Sequence, residues 1–268
     1  MADRVERRYS TLELEHREGG RLAVLTLSRP ATRNAINRAM AAELREACEM
    51  LAEDKLLRVL VVTGAGDRAF SAGADLVERR ELGPEARGEH TAEVEAAAEA
   101  LADVPVPTIA AVRGYALGGG AELAIACDLR VAGTDAVFGF PEVQIGVFPG
   151  AGGVRRLPPL VGLGAARNLL YTGRRIEASE AARIGLVDRV VAPAMVVEDA
   201  LGLARAIADN APLAVRAVKR ALRECSDSSP GTARRRVNDL RRTLDQTADY
   251  GEGLAAFAEK RRPRFSGT

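Results

Sequence analysis

Two short apolar runs that each end in glycines limit the fold of this chain more than any other feature. Residues 58–63, RVLVVT, lead into GAGDRAFSAGAD at 64–75, and residues 108–112, TIAAV, lead into GYALGGGAELAIACD at 114–128. Runs this short and continuous read as buried strands. The Ala- and Glu-rich stretch at roughly 88–103 and the apolar stretch at 119–127 read as helices. The pattern is α/β.

The rest of the chain extends that pattern. Residues 10–17 and 21–28 flank Gly19-Gly20 and read as a β-hairpin. A loop at 29–36, RPATRNAI, precedes a helix at 37–53 with Asn37 as its N-cap. Short strands are expected near 129–132 and 136–140, followed by a second glycine-rich turn, PGAGG, at 149–153. From about 154 onward the chain reads as mostly helical, with helices over 178–184, 196–210, 212–224, 231–247 and 251–260 and one short strand near 187–191. Strand–strand–helix units fill the first part and helices the last.

Scarcity excludes several chemistries. His16 and His90 are the only histidines and stand in no metal-ligand spacing. Cys48, Cys127 and Cys225 are too few and too scattered for a disulfide framework or a zinc site. A net charge of +1 gives no global field toward nucleic acid or membrane. No apolar run is long enough for a transmembrane helix, and the N-terminal MADRVERRYS lacks the apolar core of a signal peptide. A cytoplasmic protein is expected. If the chain is an enzyme, carboxylates and backbone amides must carry the chemistry, with no metal.

VLVVTGAGDRA invites a dinucleotide-binding reading, a strand followed by G-x-G-x-x-A. That fingerprint needs a helix that opens inside the glycines. Here Gly73-Ala74 soon interrupts, and no acid-ended strand follows about 20 residues on. A turn after a buried strand is the better reading.

The glycine-rich loops and two acids suggest another chemistry. FSAGAD at 70–75 and LGGG at 117–120 each follow a buried strand. Glycines let backbone N–H groups come close to a ligand. Each loop could give one N–H to an oxygen that gains negative charge, a contact worth roughly 3–4 kcal/mol by deletion. Close packing between layers would explain either loop alone. Glu122 opens an otherwise apolar helical run, and Glu142, in FGFPE, follows a short strand and a proline. Two carboxylates beside one apolar pocket have coupled, raised pKa values and can divide acid and base roles. Capping or surface positions would explain each acid separately. Taken together, the loops and acids point to a thioester or other acyl site.

The sequence resembles the enoyl-CoA hydratase/isomerase (crotonase) superfamily along nearly its whole length. The resemblance rests on LSRPATRNAIN, AFSAGADL, VPTIAAVRGYALGGGAELAIACDLRVA, FPEVQIGVFPGAGG, TGRRIEASEAARIGLVDRVV and EGLAAFAEKRRPRFSG, each at the family's place in the chain. It implies a crotonase-like spiral of repeated ββα units over 1–195. A C-terminal helical trimerisation region over 196–268 would commonly assemble a dimer of trimers. No cofactor is implied, because coenzyme A is part of the substrate. The family's oxyanion-hole N–H groups fall on Ala74 and Gly119, and the two hydratase glutamates on Glu122 and Glu142. Gly150 falls where a helix N-terminus meets the water or acyl group. CoA would thread between the 29–36 and 70–76 loops, past Arg33, Ala35, Ala72, Asp75 and Leu76. Tyr115, Leu117, Gly118 and Pro141 are also expected at the substrate. Phe257 and Lys260 match a C-terminal segment that often reaches a neighbour's CoA. Where relatives often carry a lysine two residues after the loop aspartate, this chain has Val77.

The implied reaction is reversible syn hydration of a trans-2-enoyl-CoA to a 3-hydroxyacyl-CoA, in fatty-acid or branched-chain acyl-CoA metabolism. Glu142 is the expected proton donor to the α-carbon. An enoyl-CoA isomerase or another enolate-stabilising enzyme is the alternative, although isomerisation needs only one acid. A catalytically silent scaffold is a third reading, against which both acids and both loops stand. The chain looks especially like methylglutaconyl-CoA hydratases, some of which bind AU-rich RNA. The basic stretch ARRRVNDLRR at 233–242 has no interleaved aromatics, and a solvated face or a subunit contact explains it more simply. LVERRELGPEARGEHTAEV, 76–94, is expected to shape the acyl pocket. Its charge leaves open whether the acyl group is carboxylated.

Overall fold

A computed structural model describes residues 9–226 and 228–268; the polar N-terminal residues 1–8 lie outside the described residues. The chain opens with a hairpin of β1 (Leu12–Arg17) and β2 (Leu22–Leu27), which pair antiparallel with Leu12 opposite Leu27. In α1 (Arg38–Ala52) the first turn is closed by Asn37, whose side chain accepts the Met40 N–H at 3.0 Å. Three turns of a spiral follow. The first is β3 (Val59–Gly64), β4 (Ala69–Ser71), α2 (Leu76–Glu81) and α3 (Pro84–Asp103). The second is β5 (Thr108–Val112), β6 (Tyr115–Leu117) and α4 (Gly119–Ala126). The third is β7 (Leu129–Gly133), β8 (Val137–Gly139) and α5 (Gly153–Thr172). The chain then continues through β9 (Arg175–Glu177), α6 (Ala178–Arg183), β10 (Arg189–Val191) and α7 (Val196–Ala208). It closes with α8 (Pro212–Ser226), α9 (Pro230–Leu244) and α10 (Ala248–Ala258).

Each spiral turn gives its first strand to a large sheet and its second to a small one. The large sheet runs β1-β2-β3-β5-β7-β10 and is parallel except for β1. The small sheet runs β4-β6-β8-β9 and is parallel except for β9. This is the spiral of ββα units, and it matches the α/β fold class implied by the resemblance.

Burial on both faces explains why β3 and β5 show no polar alternation. One face of the large sheet packs Leu25, Val62 and Ala110 against α1, α3 and α4 through Leu44, Leu101 and Leu123. The other packs Val24, Val61 and Ile109 against α7 through Ala200, Leu201 and Ala204. Each fully buried Val or Leu contributes about 1.5–3 kcal/mol relative to exposure. The region expected over 196–268 therefore begins with a helix that completes the sheet's second face. Beyond it, α8 exposes Val218 and Leu222, and α9 exposes Val237.

The structure departs from the sequence expectations in several places, among them β6, a three-residue strand in the stretch leading to the glycines. The 64–75 loop contains β4, a strand of three residues and too short to have a readable period. The 76–94 segment holds α2, which Asp75 caps, and the start of α3, where Pro84 occupies the first turn. β9 lies where no strand is expected, again with only three residues. The helix α5 contains Pro158 and Pro159 and breaks at Gly162, which obscures its 20-residue length. By contrast, the GAGDRA segment after β3 opens no helix, as its non-dinucleotide reading requires. Among the described residues, no helix is long and apolar enough to cross a membrane.

Candidate active site

The pairing of β4 with β6 brings the two glycine-rich loops side by side. A Cβ added at Gly119 would lie 3.6 Å from the Ala74 nitrogen, so these two backbone N–H groups are neighbours. Ile36 donates to the Gly73 carbonyl at 2.8 Å and accepts the Asp75 N–H at 2.9 Å. Alternation along extended backbone turns the intervening Ala74 N–H to the opposite side. Among the described residues, neither Ala74 N–H nor Gly119 N–H has an acceptor. Ser71 stiffens the first loop, donating from Oγ to the Asn34 carbonyl at 2.8 Å and accepting the Gly73 N–H at 3.2 Å.

The glycine run itself has two steric causes. Gly118 stands at φ +52°, a conformation that L side chains rarely adopt. A Cβ at Gly120 would come 2.3 Å from the Ser71 carbonyl. Between them Gly119 presents its N–H.

Glu122 lies in the first turn of α4 and is 3% exposed. Its Oε1 accepts the Gly153 N–H at 2.8 Å, and the nearby Ala151 amide also favours the charged carboxylate. Burial pushes its pKa up, while the two amides and the nearby Arg156 charge pull back part of the rise. Glu142 sits in a single 3₁₀ turn, Pro141–Ile145, directly after β8. Because β8 pairs with β6, this turn returns to the same edge as the glycines. A Cβ at Gly118 would lie 3.0 Å from Glu142 Oε1. Burial pushes the Glu142 carboxyl up to about 7, its own amide opposing the rise and the Glu122 charge adding to it. Its Oε2 is buried and has no hydrogen-bond partner among the described residues. Buried polar atoms are rarely left so, and the exceptions often mark functional sites.

Both acids and both loop amides line one cavity of about 560 Å³. Leu76, Val94, Val147 and Phe148 give it apolar walls, and Gly118, Pro141 and Gly150 also line it. A groove of about 770 Å³ contains Arg29, Arg33, Ala35 and Arg68. Ala72, Ala74 and Leu76 belong to both, so cavity and groove are continuous. An arginine-bearing groove suits an anionic ligand, and the partly apolar cavity suits its uncharged end. Arg79 lines the cavity too and has no carboxylate within ion-pair distance among the described residues. The Thr91 hydroxyl is its close neighbour.

Other expected residues are placed differently. Asp75 lines the groove, but its carboxylate is already engaged. It pairs with Arg29 Nη1 at 2.9 Å and caps α2 through the Val77 and Glu78 amides at 3.1 and 3.2 Å. Burial works against its charge, yet Arg29 and these amides hold its pKa below the usual carboxylate value. Tyr115 and Leu117 line neither cavity nor groove. The Arg175 guanidinium sits 5.8 Å from the centre of the Tyr115 ring. Phe257 is 87% exposed, and neither it nor Lys260 lines the cavity or groove of the single chain. Gly150 lines the cavity, whereas the amide that holds Glu122 comes from Gly153. Cys127 offers no thiolate, since burial pushes its thiol up to about 12.

Sequence reasoning missed Asn34, which is fully buried. Its Nδ2 donates to the Ala65 and Ala69 carbonyls at 3.0 and 2.8 Å, and its Oδ1 accepts the Arg29 N–H at 3.0 Å. It ties the 29–36 loop to both ends of the loop between β3 and β4. A buried asparagine in RPATRNAIN is the only signal the sequence carries for this role.

A ββα spiral with paired loop amides beside one buried and one half-buried acid defines a crotonase-type protein. The family model described as enoyl-CoA hydratase/isomerase matches residues 17–268, and the chain belongs to that family. It is 40% identical over 257 residues to a crotonyl-CoA hydratase of Syntrophomonas wolfei, covering 96% of this chain and 98% of that protein. It is 37% identical over 243 residues to a short-chain-enoyl-CoA hydratase of Clostridium acetobutylicum, covering 91% of this chain and 93% of that one. Among solved structures, an enoyl-CoA hydratase from Bacillus anthracis superposes with a TM-score of 0.94 at 38% identity, covering 96% of this chain and 100% of that one.

Proposed function

We propose that this protein is an enoyl-CoA hydratase, a hydro-lyase that adds water across the trans-2 double bond of an enoyl-CoA thioester. The observation that carries the reading is the unpaired, raised Glu142 carboxyl beside the amide-held Glu122 in one cavity. The Ala74 and Gly119 N–H groups hold the thioester oxygen, so negative charge builds there and the β-carbon becomes electrophilic. Water sits between the acids. Glu122, whose charged form accepts the Gly153 amide, takes a water proton as the oxygen bonds to the β-carbon. Glu142, near half-protonated at neutral pH, gives its proton to the α-carbon. A proton returning from Glu122 to Glu142 through solvent restores the site. Nothing in this scheme requires a cofactor.

The CoA phosphates lie in the arginine-bearing groove, with Arg33 as a contact, and the pantetheine passes Ala35, Ala72 and Leu76. The chain divides into a catalytic core to about 195 and a C-terminal region from 196 that assembles a homotrimer or a dimer of trimers. The exposed apolar side chains of α8 to α10 support self-association. Phe257 and Lys260 reach CoA only from a neighbouring copy. We assign the protein to the cytoplasm. The test is to incubate crotonyl-CoA with the protein and identify the product by chromatography. 3-Hydroxybutyryl-CoA supports a hydratase. Turnover of a 3-enoyl-CoA to the 2-enoyl isomer without hydration would support the isomerase alternative.

Arg79 favours a refinement of the acyl group. Its guanidinium lines the acyl cavity with no acid beside it, so a carboxylate-ended acyl chain would find a partner there. Comparing kcat/KM for crotonyl-CoA and a carboxylated enoyl-CoA tests this refinement. A strong preference for crotonyl-CoA would reject it.

A further inference from the structure

Arg156 lies behind the cavity wall. It belongs to the first turns of α5, directly after the PGAGG turn, and its side chain is 11% exposed. Its Nη1 donates to the Ala151 carbonyl at 3.0 Å. Its Nη2 stands 2.8 Å from Glu99 Oε1 on α3 as an ion pair, without the alignment of a hydrogen bond. The Arg155 guanidinium shares that same Glu99 oxygen. Nη1 fills the space that a Gly152 side chain would need, only 1.9 Å from the Cβ position. The backbone of Arg156 donates to the Gly152 carbonyl at 2.7 Å as well.

This arrangement bears on Glu122. The amide that holds its carboxylate belongs to Gly153, and that of Ala151, which also favours the charge, lies on the other side of Gly152. A turn of three small residues at a helix start has little side-chain packing to fix it. A guanidinium wedged beneath it supplies a rigid fork. One arm fixes a carbonyl of the turn, and the other reaches α3. We propose that Arg156 is a positioning residue for hydration. By tying the Ala151–Gly153 turn to Glu99 on α3, it fixes the Gly153 amide that aims Glu122 at the reacting water.

The charges around the pair set the pH response. Glu122 faces Arg156 from α5, Glu95 from α3, and Glu142 from the turn after β8. Arg156 faces Glu99 from α3, Arg155 on its own helix and Glu122 from α4. Arg156 lowers the pKa of Glu122, and Glu95 raises it. The proposal rests on the hydratase reading, in which Glu122 works as its anion.

The experiment compares wild type with Arg156→Met, Arg156→Lys and Glu99→Gln, taking kcat and KM for crotonyl-CoA across pH and normalising to folded protein by circular dichroism. The Glu122 carboxyl titration is read in parallel by ¹³C NMR and assigned through Glu122→Gln. Arg156→Met should lower kcat about 10- to 100-fold, with KM changed far less, because a displaced acid misaligns the water. It should also raise the Glu122 titration and move the acidic limb of the rate profile to higher pH. Arg156→Lys should return that limb toward wild type while kcat stays reduced, since an ammonium keeps the charge but not the fork. Glu99→Gln should lower kcat while shifting the limb to lower pH, because the guanidinium charge beside Glu122 is then uncompensated. Loss of rate that only tracks loss of folded protein, with an unchanged pH profile and unchanged carboxyl titration, would overturn the proposal. So would wild-type kcat in Arg156→Met. An inactive wild type would instead reject the hydratase reading, and the carboxyl titration would still report on Arg156.

Discussion

The helix α4 begins at a buried acid and is followed, past its end, by a buried arginine. The two charges are handled in opposite ways. Arg130 is 2% exposed, and carbonyls account for its guanidinium. Its Nε donates to Leu186 at 2.6 Å and its Nη1 to Cys127 at 2.8 Å, with Asp188 3.5 Å from Nη2. Two of these carbonyls, those of Ala124 and Cys127, belong to the C-terminal end of α4, where a cation also meets the negative end of the helix dipole. At the other end Glu122 has its amides, but Glu142 beside it keeps an oxygen buried and unpaired. A buried charge with every arm occupied holds a fold together. A buried acid with an arm left open waits for a ligand.

The largest expected effect is at the open end. Glu142→Gln or Glu122→Gln should each lower kcat about 100- to 10,000-fold, since a positioned acid–base group is worth that much. Circular dichroism should find either variant folded. Removing Arg130 should do the reverse. Arg130→Met leaves the Leu186 and Cys127 carbonyls without their donor, and should cost about 1–3 kcal/mol of stability for each. The denaturation midpoint is the readout. The residual folded protein should keep the wild-type pH profile. If Arg130→Met moved that profile, the division between holding and reacting would fail.

Stability against pH sharpens the contrast further. Glu142 titrates near the ordinary 4.5 when unfolded and at about 7 when folded, so the folded state binds the proton more tightly. The stability tied to that proton is fully present below the unfolded value and lost as pH rises through the folded one. Glu142→Gln should therefore be more stable than wild type above neutrality, by at most about 3 kcal/mol, and no more stable in acid. Thermal unfolding across that range measures it. The smallest effect expected is at Asn37, whose side chain caps α1 and carries no titratable group. Asn37→Ala should cost about 1 kcal/mol and leave the pH profile of activity unmoved, as paired thermal and kinetic measurements would read.

Much of this arrangement was legible from local sequence. The strand at 108–112 and the helix from 119 follow from apolar runs and glycines, because both are set by residues adjacent in the chain. The pairing of the two loops is also expected from neighbouring strands, although β4 and β6 that set it lie far apart in the chain. What stayed hidden depends on contacts between distant segments. Asp75 reads as a ligand contact until Arg29 and the α2 amides are seen to occupy it. Arg156 reads as one of many arginines until Glu99, on a different helix, is found against it. The strands β4 and β9, at three residues each, are ordered by partners in the small sheet rather than by their own pattern. Paired prolines hide α5, although its start carries the turn that holds Glu122.

The open acid is the centre of the account, and one rate tests it. Loss of the conjugated enoyl-thioester absorbance should be followed after adding purified protein to crotonyl-CoA, with Glu142→Gln alongside at equal folded concentration. Rapid loss with wild type and its near-abolition in the variant is the expected result. Equal rates for the two proteins would contradict the account, because an unpaired acid that can be neutralised without consequence is not part of the reaction.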